Sequence, residues 1–280
     1  MPGLACAVHQ PNFFPRLSTL AKLYAADVWV ILDDVQFSQR DYQHRCYLPA
    51  AGAALPARWL TVPVHLPAGR ATLIKDARIA DPALAARHMQ GLLGQYFRTS
   101  PHRAAIWGLL AEADDAVASS ARVAESSERT TTALLEAVGW RGRICRSSGI
   151  AARTGRSERL ADLTTAVSAT AYLCGTGGSR YLDPAPFTAQ GLAVQFFTPP
   201  SPLASLPPDA CHGATALADL AEAGPQALAR HLDSHVAAWR NSLHVIPRPG
   251  PQGLATGQRA GTATGGRLAL TGRADGKDTA

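Results

Sequence analysis

The stretch L-A-C-A-V-H-Q-P-N-F-F-P-R-L-S-T-L-A-K-L-Y-A-A-D-V-W-V-I-L-D-D-V-Q-F, residues 4–37, decides the fold. It opens on a short apolar run, Leu4 to Val8, that stops at the polar cluster His9, Gln10, Pro11 and Asn12. That pattern predicts a buried strand followed by a loop. From Leu17 the apolar residues Leu17, Leu20, Ala21, Leu23 and Tyr24 recur at helical spacing behind Pro15, whose missing N–H suits a first turn. Asp27 then leads into Val28, Trp29, Val30, Ile31 and Leu32, a run rich in β-branched side chains and closed by Asp33 and Asp34. Two continuously apolar strands around one helix predict parallel neighbours, covered by helices on both faces and joined by a right-handed crossover.

Outward from this unit the alternation continues. Ala57 to Val64 is a third strand candidate, confined by Pro63 to a strand end or an edge. Alanine- and leucine-rich helical spacing covers Pro82 to Tyr96, Ala104 to Ala118 and Ser126 to Val138, with Asp81-Pro82 and Ser100-Pro101 as starts. Arg143 to Arg146 predicts a brief strand, Arg156 to Ala169 a helix, Ala171 to Cys174 a strand, and Leu192 to Phe197 a late strand. The expected fold is a three-layer, mostly parallel, Rossmann-like α/β domain over residues 1–246, with a helical insertion or subdomain near residues 81–140. The Gly-, Pro- and Thr-rich tail, residues 247–280, has no apolar periodicity to offset its ordering entropy and is expected to be disordered.

Composition sets the bounds. A chain of 280 residues with 46% hydrophobic and 17% charged side chains can build a core without disulfides or a structural metal. The net charge is +6, but Arg248, Arg259, Arg267, Arg273 and Lys277 against Asp275 and Asp278 place +3 of it in the tail. The body is left near +3, with no basic stripe, so DNA is not an expected partner. The five cysteines form no C-x-x-C pair. No apolar run approaches the ~18 residues of a membrane span and no signal peptide is evident, so a cytoplasmic protein without a membrane partner is expected.

In open α/β sheets the ligand crevice lies beyond the carboxyl ends of the strands. Those ends carry H9-Q-P-N-F-F-P and L32-D-D-V-Q-F-S-Q-R-D-Y-Q-H-R45, which bring an imidazole, adjacent carboxylates, amides and guanidiniums to one rim. An isolated Asp-Asp or His-Gln pair reads as a turn or a cap; convergence of several such groups favours a site. C174-G-T-G-G-S-R-Y-L-D183 follows a strand and lets backbone approach a ligand, with Arg180 placed to pair a carboxylate or phosphate. It matches neither G-x-x-x-x-G-K-[ST] nor G-x-G-x-x-G. Ser147 and Ser148 sit in no G-x-S-x-G elbow, and His231 and His235, four apart, lack an H-E-x-x-H context, so no metal site is expected.

The blocks H-Q-P-N-F-F-P, A-A-D-V-W-V-I-L-D-D-V-Q-F-S-Q-R-D-Y-Q-H-R, W-L-T-V-P-V and G-T-G-G-S-R-Y-L-D together resemble the WbqC-like family, found in O-antigen and other biosynthetic gene clusters. The resemblance implies a cytoplasmic biosynthetic enzyme acting on a small molecule that bears an amino group. Two positions depart from the family pattern: His44 stands where an asparagine is usual, and Ala218 where an aspartate is expected, with Asp219 one residue late. A more distant similarity links strand, H-x-x-N and helix to nucleotidylyl transferases of the HIGH type, which implies a HUP-like sheet and admits ATP as a cofactor. Pro11, however, removes an N–H that a phosphate would use.

The expected function is amide-forming acyl or aminoacyl transfer to an amino sugar or a specialised-metabolite amine. In that scheme His9 is the general base, with Asp33 or Asp34 orienting it. Asn12 and Gln36 bind the donor or oxyanion, and Arg40, Arg45 and Arg180 hold an anionic part of a substrate. Gln10, Gln43, Ser147 and Ser148, with Gly175, Gly177, Gly178, Tyr181 and Asp183 of the glycine block, complete the expected substrate-binding set. The donor could be small, carrier-bound or tRNA-bound. The alternatives are an ATP-dependent adenylate-forming ligase and a non-catalytic binding protein of a biosynthetic cluster.

Overall fold

The computed structural model describes residues 3–51, 55–206 and 213–243. The tail expected to be disordered lies outside them. In chain order, β1 (Ala5–His9), α1 (Leu17–Tyr24) and β2 (Val28–Ile31) form the predicted opening unit. Four short strands follow: β3 (Arg45–Leu48), β4 (Arg58–Thr61), β5 (Val64–His65) and β6 (Arg78–Ile79). Then come α2 (Pro82–Tyr96), α3 (Arg103–Ser119), α4 (Val123–Ala137), β7 (Arg143–Arg146), α5 (Arg156–Ala166) and β8 (Ala171–Cys174). The chain closes with α6 (Ala185–Ala189), β9 (Ala193–Phe196), α7 (Leu217–Ala223) and α8 (Pro225–Leu243).

The five strands β7-β2-β1-β8-β9 form one wholly parallel sheet in that order. Numbered among themselves they run 3-2-1-4-5, the Rossmann-like arrangement that the sequence predicted. Alternation along each strand divides the core between two faces. Cys6, Val8, Val28 and Val30 pack with Ala161 and Leu163 of α5 and with Phe187 of α6. Ala7, Trp29 and Ile31 face the other way, onto a larger layer with Leu20 of α1, Leu134 of α4, Leu217 of α7 and Leu228 of α8. The predicted insertion, α2 to α4, thus shares one continuous core with the sheet. Its first helix starts as expected, Asp81 Oδ1 accepting the Leu84 N–H at 2.9 Å over a proline at the first turn.

Two expectations need correction. The candidate strand Ala57 to Val64 does not enter the parallel sheet: its Arg58–Thr61 part pairs antiparallel with Arg45–Leu48, and Val64–His65 pairs with Arg78–Ile79. Pro63 separates the two pieces by denying the ladder a donor. The helix begun at Arg156 ends at Ala166, because Ser168 adopts φ 61°, a left-handed conformation that closes the turn before β8. In addition, α8 was not foreseen. It starts at Pro225 after Gly224 at φ 79° and buries Leu228, Leu232, Val236 and Trp239 along one stripe. His231 and His235 lie on it and hydrogen-bond the carbonyls of Ser201 and Thr198 at 2.9 and 2.6 Å, so this pair fastens the segment after β9 rather than a metal.

Candidate functional site

In a 3-2-1-4-5 sheet the chain reverses direction between the first and fourth strands, and the loops leaving them diverge to open a crevice. Here those strands are β1 and β8, and their ends are His9-Gln10 and Cys174-Gly175. A cleft of about 690 Å³ opens there, bounded by the His9–Asn12 loop, the start of α1, the start of α5 and the Gly175–Gly178 turn. The cleft therefore opens beyond β1 and β8 rather than beyond β1 and β2, where the sequence placed the candidate site.

The loop after β1 is held from behind by α4. Ser127, Thr130 and Thr131 are fully buried there; Thr131 Oγ1 donates to the Asn12 carbonyl at 2.7 Å, and Thr130 Oγ1 accepts the Phe14 N–H at 3.1 Å. Phe14 has φ 47°, strain that these bonds and its burial impose. The loop is thus preorganised, with the Asn12 side chain left to line the cleft. Beside it, Gln43 Nε2 donates to Gln10 Oε1 at 2.8 Å while Gln43 Oε1 accepts the Ser38 N–H at 2.9 Å, so Gln43 positions Gln10 without lining the cleft itself.

His9 Nδ1 lies 2.7 Å from the Gln10 carbonyl. A carbonyl only accepts, so Nδ1 carries the proton. Burial, followed by the positive charge of Lys22, pushes the imidazole down to about 3, with Arg16 adding to the effect. The ring is neutral at physiological pH and Nε2 holds a lone pair. Asp33 and Asp34 do not orient it, contrary to the sequence-based expectation. Asp33 is buried and accepts from Ser148 N at 3.0 Å, Ser148 Oγ at 2.8 Å and Ser147 Oγ at 3.2 Å, which ties the end of β2 to the end of β7. Asp34 bonds Ser147 Oγ and pairs with Arg159 at 2.5 Å. Burial raises the Asp34 carboxyl, but these partners outweigh it and hold the group below its ordinary value. Ser147 and Ser148 are accordingly part of this strut, not of the cleft wall.

The expected anion-binding arginines are elsewhere. Arg45 lies 4.1 Å over the Trp59 ring and bonds the Asp41 and Arg40 carbonyls, and neither Arg40 nor Arg180 lines the cleft. Gln36 is exposed and donates to the Arg70 carbonyl at 2.6 Å. Asp183 Oδ1 accepts the Ala185 N–H at 2.9 Å and closes the turn before α6. The family-departing region is structural too: Asp219 is buried and accepts from Leu203 and Ala204 N–H groups at 2.6 and 3.1 Å. Of the expected binding residues, Gln10, Asn12, Gly175, Gly177, Gly178 and Tyr181 do line the cleft.

Its cations were missed by sequence reasoning: Arg16, Lys22, Arg156 and Arg159. Among the described residues, Asp41 is the one carboxylate that lines the cleft with them. Lys22 is only 7% exposed, and burial drives its ammonium down to about 8. Helical side chains lean toward the N-terminus of their helix, which here is the cleft end of α1, and this carries the Lys22 stem inward. The available signal was a lysine set between apolar neighbours in L-A-K-L-Y, in a chain with few lysines.

The family model described as "WbqC-like protein family" matches residues 10–205 of this chain. Rv1507c of Mycobacterium tuberculosis, described as an uncharacterized protein, is 25% identical over 191 residues, covering 68% of this chain and 80% of its own. No solved structure matches. Among the described residues no group of His, Cys, Asp and Glu could hold a metal ion, and no helix is long and apolar enough to cross a membrane.

Proposed function

The chain belongs to the WbqC-like family, and from that premise we propose that it is a biosynthetic group-transfer enzyme forming an amide on an amino group of a small metabolite, such as an amino sugar. The observation that carries this reading is a neutral imidazole with its Nδ1 proton fixed, placed in the same switch-point cleft as a group of cations opposed by one carboxylate. An acyl donor with an anionic portion would be held by Lys22 and Arg156, with Arg159 engaged by Asp34. The neutral amine would attack the acyl carbon while His9 Nε2 takes one of its protons. The C–N bond forms, and the leaving group departs with the electron pair of its bond to that carbon. The Asn12 carboxamide, which lines the cleft, is suited to hydrogen-bond the developing oxyanion.

Burial is the largest cause of the low basicity of His9, and the donor-first order we propose relieves the smaller, electrostatic part of it. Two of its causes are the charges of Lys22 and Arg16, and a bound anion offsets both. The imidazole then becomes a better proton acceptor once the donor is in place. The test is amide formation from pathway-derived donor and amine by the wild type and by His9→Ala. A loss of at least 10²-fold in turnover, with the fold intact, is expected; undiminished turnover would refute the role of His9.

A second reading, an ATP-dependent ligase that activates a carboxylate as its adenylate, is favoured by the 3-2-1-4-5 strand order and the cationic cleft. It predicts exchange of pyrophosphate into ATP in the presence of the true acid, and no exchange under those conditions removes it.

A further inference from the structure

The floor of the cleft holds an unusual pair of features that come from distant parts of the chain. The first is Lys22, nine-tenths buried, with no hydrogen bond or ion pair to its ammonium among the described residues. The second is the Gly175–Gly178 turn. A Cβ built on Gly175 would lie 3.4 Å from Lys22 Cδ and 3.8 Å from Nζ, so the ammonium rests directly against this turn. Within the turn, Gly178 N donates to the Gly175 carbonyl at 3.0 Å and Tyr181 N to the Gly178 carbonyl at 3.1 Å. The N–H groups of Thr176 and Gly177 have no acceptor among the described residues, and no side chain crowds Gly177.

A buried cation without a counter-ion is unfavourable unless something else supplies the negative charge. Among the described residues, the titratable groups that face Lys22 are the His9 imidazole and the Cys6 and Cys174 thiols; burial keeps the imidazole neutral and raises both thiols, so none of them supplies a negative charge at physiological pH. Arg159 is already paired with Asp34 and so adds little uncompensated charge, whereas Arg156 stands at the start of α5 and also lines the cleft. Free amides beside an ammonium are a donor set for an anion that accepts from several directions at once. A tetrahedral phosphoryl group, with three terminal oxygens and up to two negative charges, meets that requirement. A planar carboxylate has two oxygens and one charge.

We propose that Lys22 and the Gly175–Gly178 turn form a phosphoryl-binding site, so that the substrate held in this cleft carries a phosphate ester or phosphoanhydride. The inference rests on the cleft's being the substrate site, but it does not depend on which bond the enzyme makes. The turn amides would take two of the phosphoryl oxygens, Lys22 the third, and Arg156 the outer face toward solvent. A nucleotide and a sugar phosphate share this chemistry. Since Lys22 titrates near 8 in the free protein, affinity should weaken as pH rises above that value, where the ammonium is lost.

The experiment is titration calorimetry on the full chain with pyrophosphate as probe, malonate as a dicarboxylate control, and ADP and glucose 1-phosphate to separate the two sources. Pyrophosphate binding is expected, with malonate at least tenfold weaker and Lys22→Met reducing affinity for pyrophosphate at least tenfold. Lys22→Arg should retain part of it, and a near-unchanged melting temperature or a higher one shows that the Met variant is folded. Malonate binding as tightly as pyrophosphate, or equal pyrophosphate affinity in Lys22→Met, would overturn the site. Because no acyl acceptor is needed, the binding result stands apart from the amide-formation assay: pyrophosphate can bind where amide transfer fails, and the reverse.

Discussion

The loops that leave β1 and β2 look alike in sequence, both dense in polar residues, yet the structure gives them opposite roles. Beyond β2, the Asp33 carboxylate, Ser147, Ser148 and Gln36 bond one another or nearby backbone, and Arg45 is stacked on Trp59. Beyond β1, backbone and α4 hydroxyls fix the loop while Asn12 and His9 keep atoms directed at the cleft. A polar cluster whose donors and acceptors are saturated internally stabilises a fold; one whose scaffold is saturated while its functional groups are left over can bind a ligand.

The contrast is open to direct attack, and the strongest blow is Asp33→Ala. It removes the acceptor of the part-buried Ser148 N–H and of the Ser148 hydroxyl, leaves Ser147 Oγ only its bond to Asp34 across the junction of β2 and β7, and should lower stability by about 2–4 kcal/mol. Denaturant unfolding measures it, and a loss below about 1 kcal/mol would contradict the structural role. Lys22→Met should act in the opposite direction. Below pH 8 the wild type carries a desolvated ammonium whose pKa has fallen from 10.5 to about 8, so the substitution should raise stability by roughly 1–3 kcal/mol. The unfolded chain binds more protons between about pH 8 and 10.5, so wild-type stability rises across that window and the advantage of the variant shrinks.

His9 sharpens the comparison at acid pH. Its folded value of about 3 lies below the ordinary 6.5, so stability associated with it is present above 6.5 and is lost as pH falls toward 3. Nitrogen NMR of the imidazole should report a neutral ring with the proton on Nδ1 throughout pH 5 to 8; titration with a midpoint near 6.5 would contradict this geometry. The smallest effect belongs to Arg45→Ala, which removes a partly exposed cation–π contact for about 0.5–1 kcal/mol. Pyrophosphate affinity should be unchanged in that variant, whereas a loss matching that of Lys22→Met would return Arg45 to the site.

Much of the fold was legible because its elements are short, periodic and local. Leu17 to Tyr24 came out at its observed bounds, and the run Val28 to Leu32 only one residue longer than the strand, because apolar spacing and the flanking Pro15 and Asp33 leave little choice. The pairing of Arg45–Leu48 with Arg58–Thr61 was not legible, since R-C-Y-L carries no long apolar run of its own and strand preference depends on the partner and the packing around it. Likewise the cleft residues His9, Asn12 and Gly175 were recognisable from strand ends and glycine content, but Arg156, Arg159 and Lys22 were not. Each sits within a helix, where a basic residue ordinarily faces solvent or the helix terminus.

The sequence by itself determined a parallel α/β sheet built outward from β1–α1–β2 and a polar rim beyond its strand ends, because hydrophobic period and chain reversal are local properties. Only the tertiary structure decided that the cleft opens between β1 and β8, that Asp33 is a strut, and that Lys22 lies against Gly175. Burial and hydrogen-bond saturation belong to neighbours in space, and the crossover that returns β8 beside β1 makes neighbours of residues far apart in the chain.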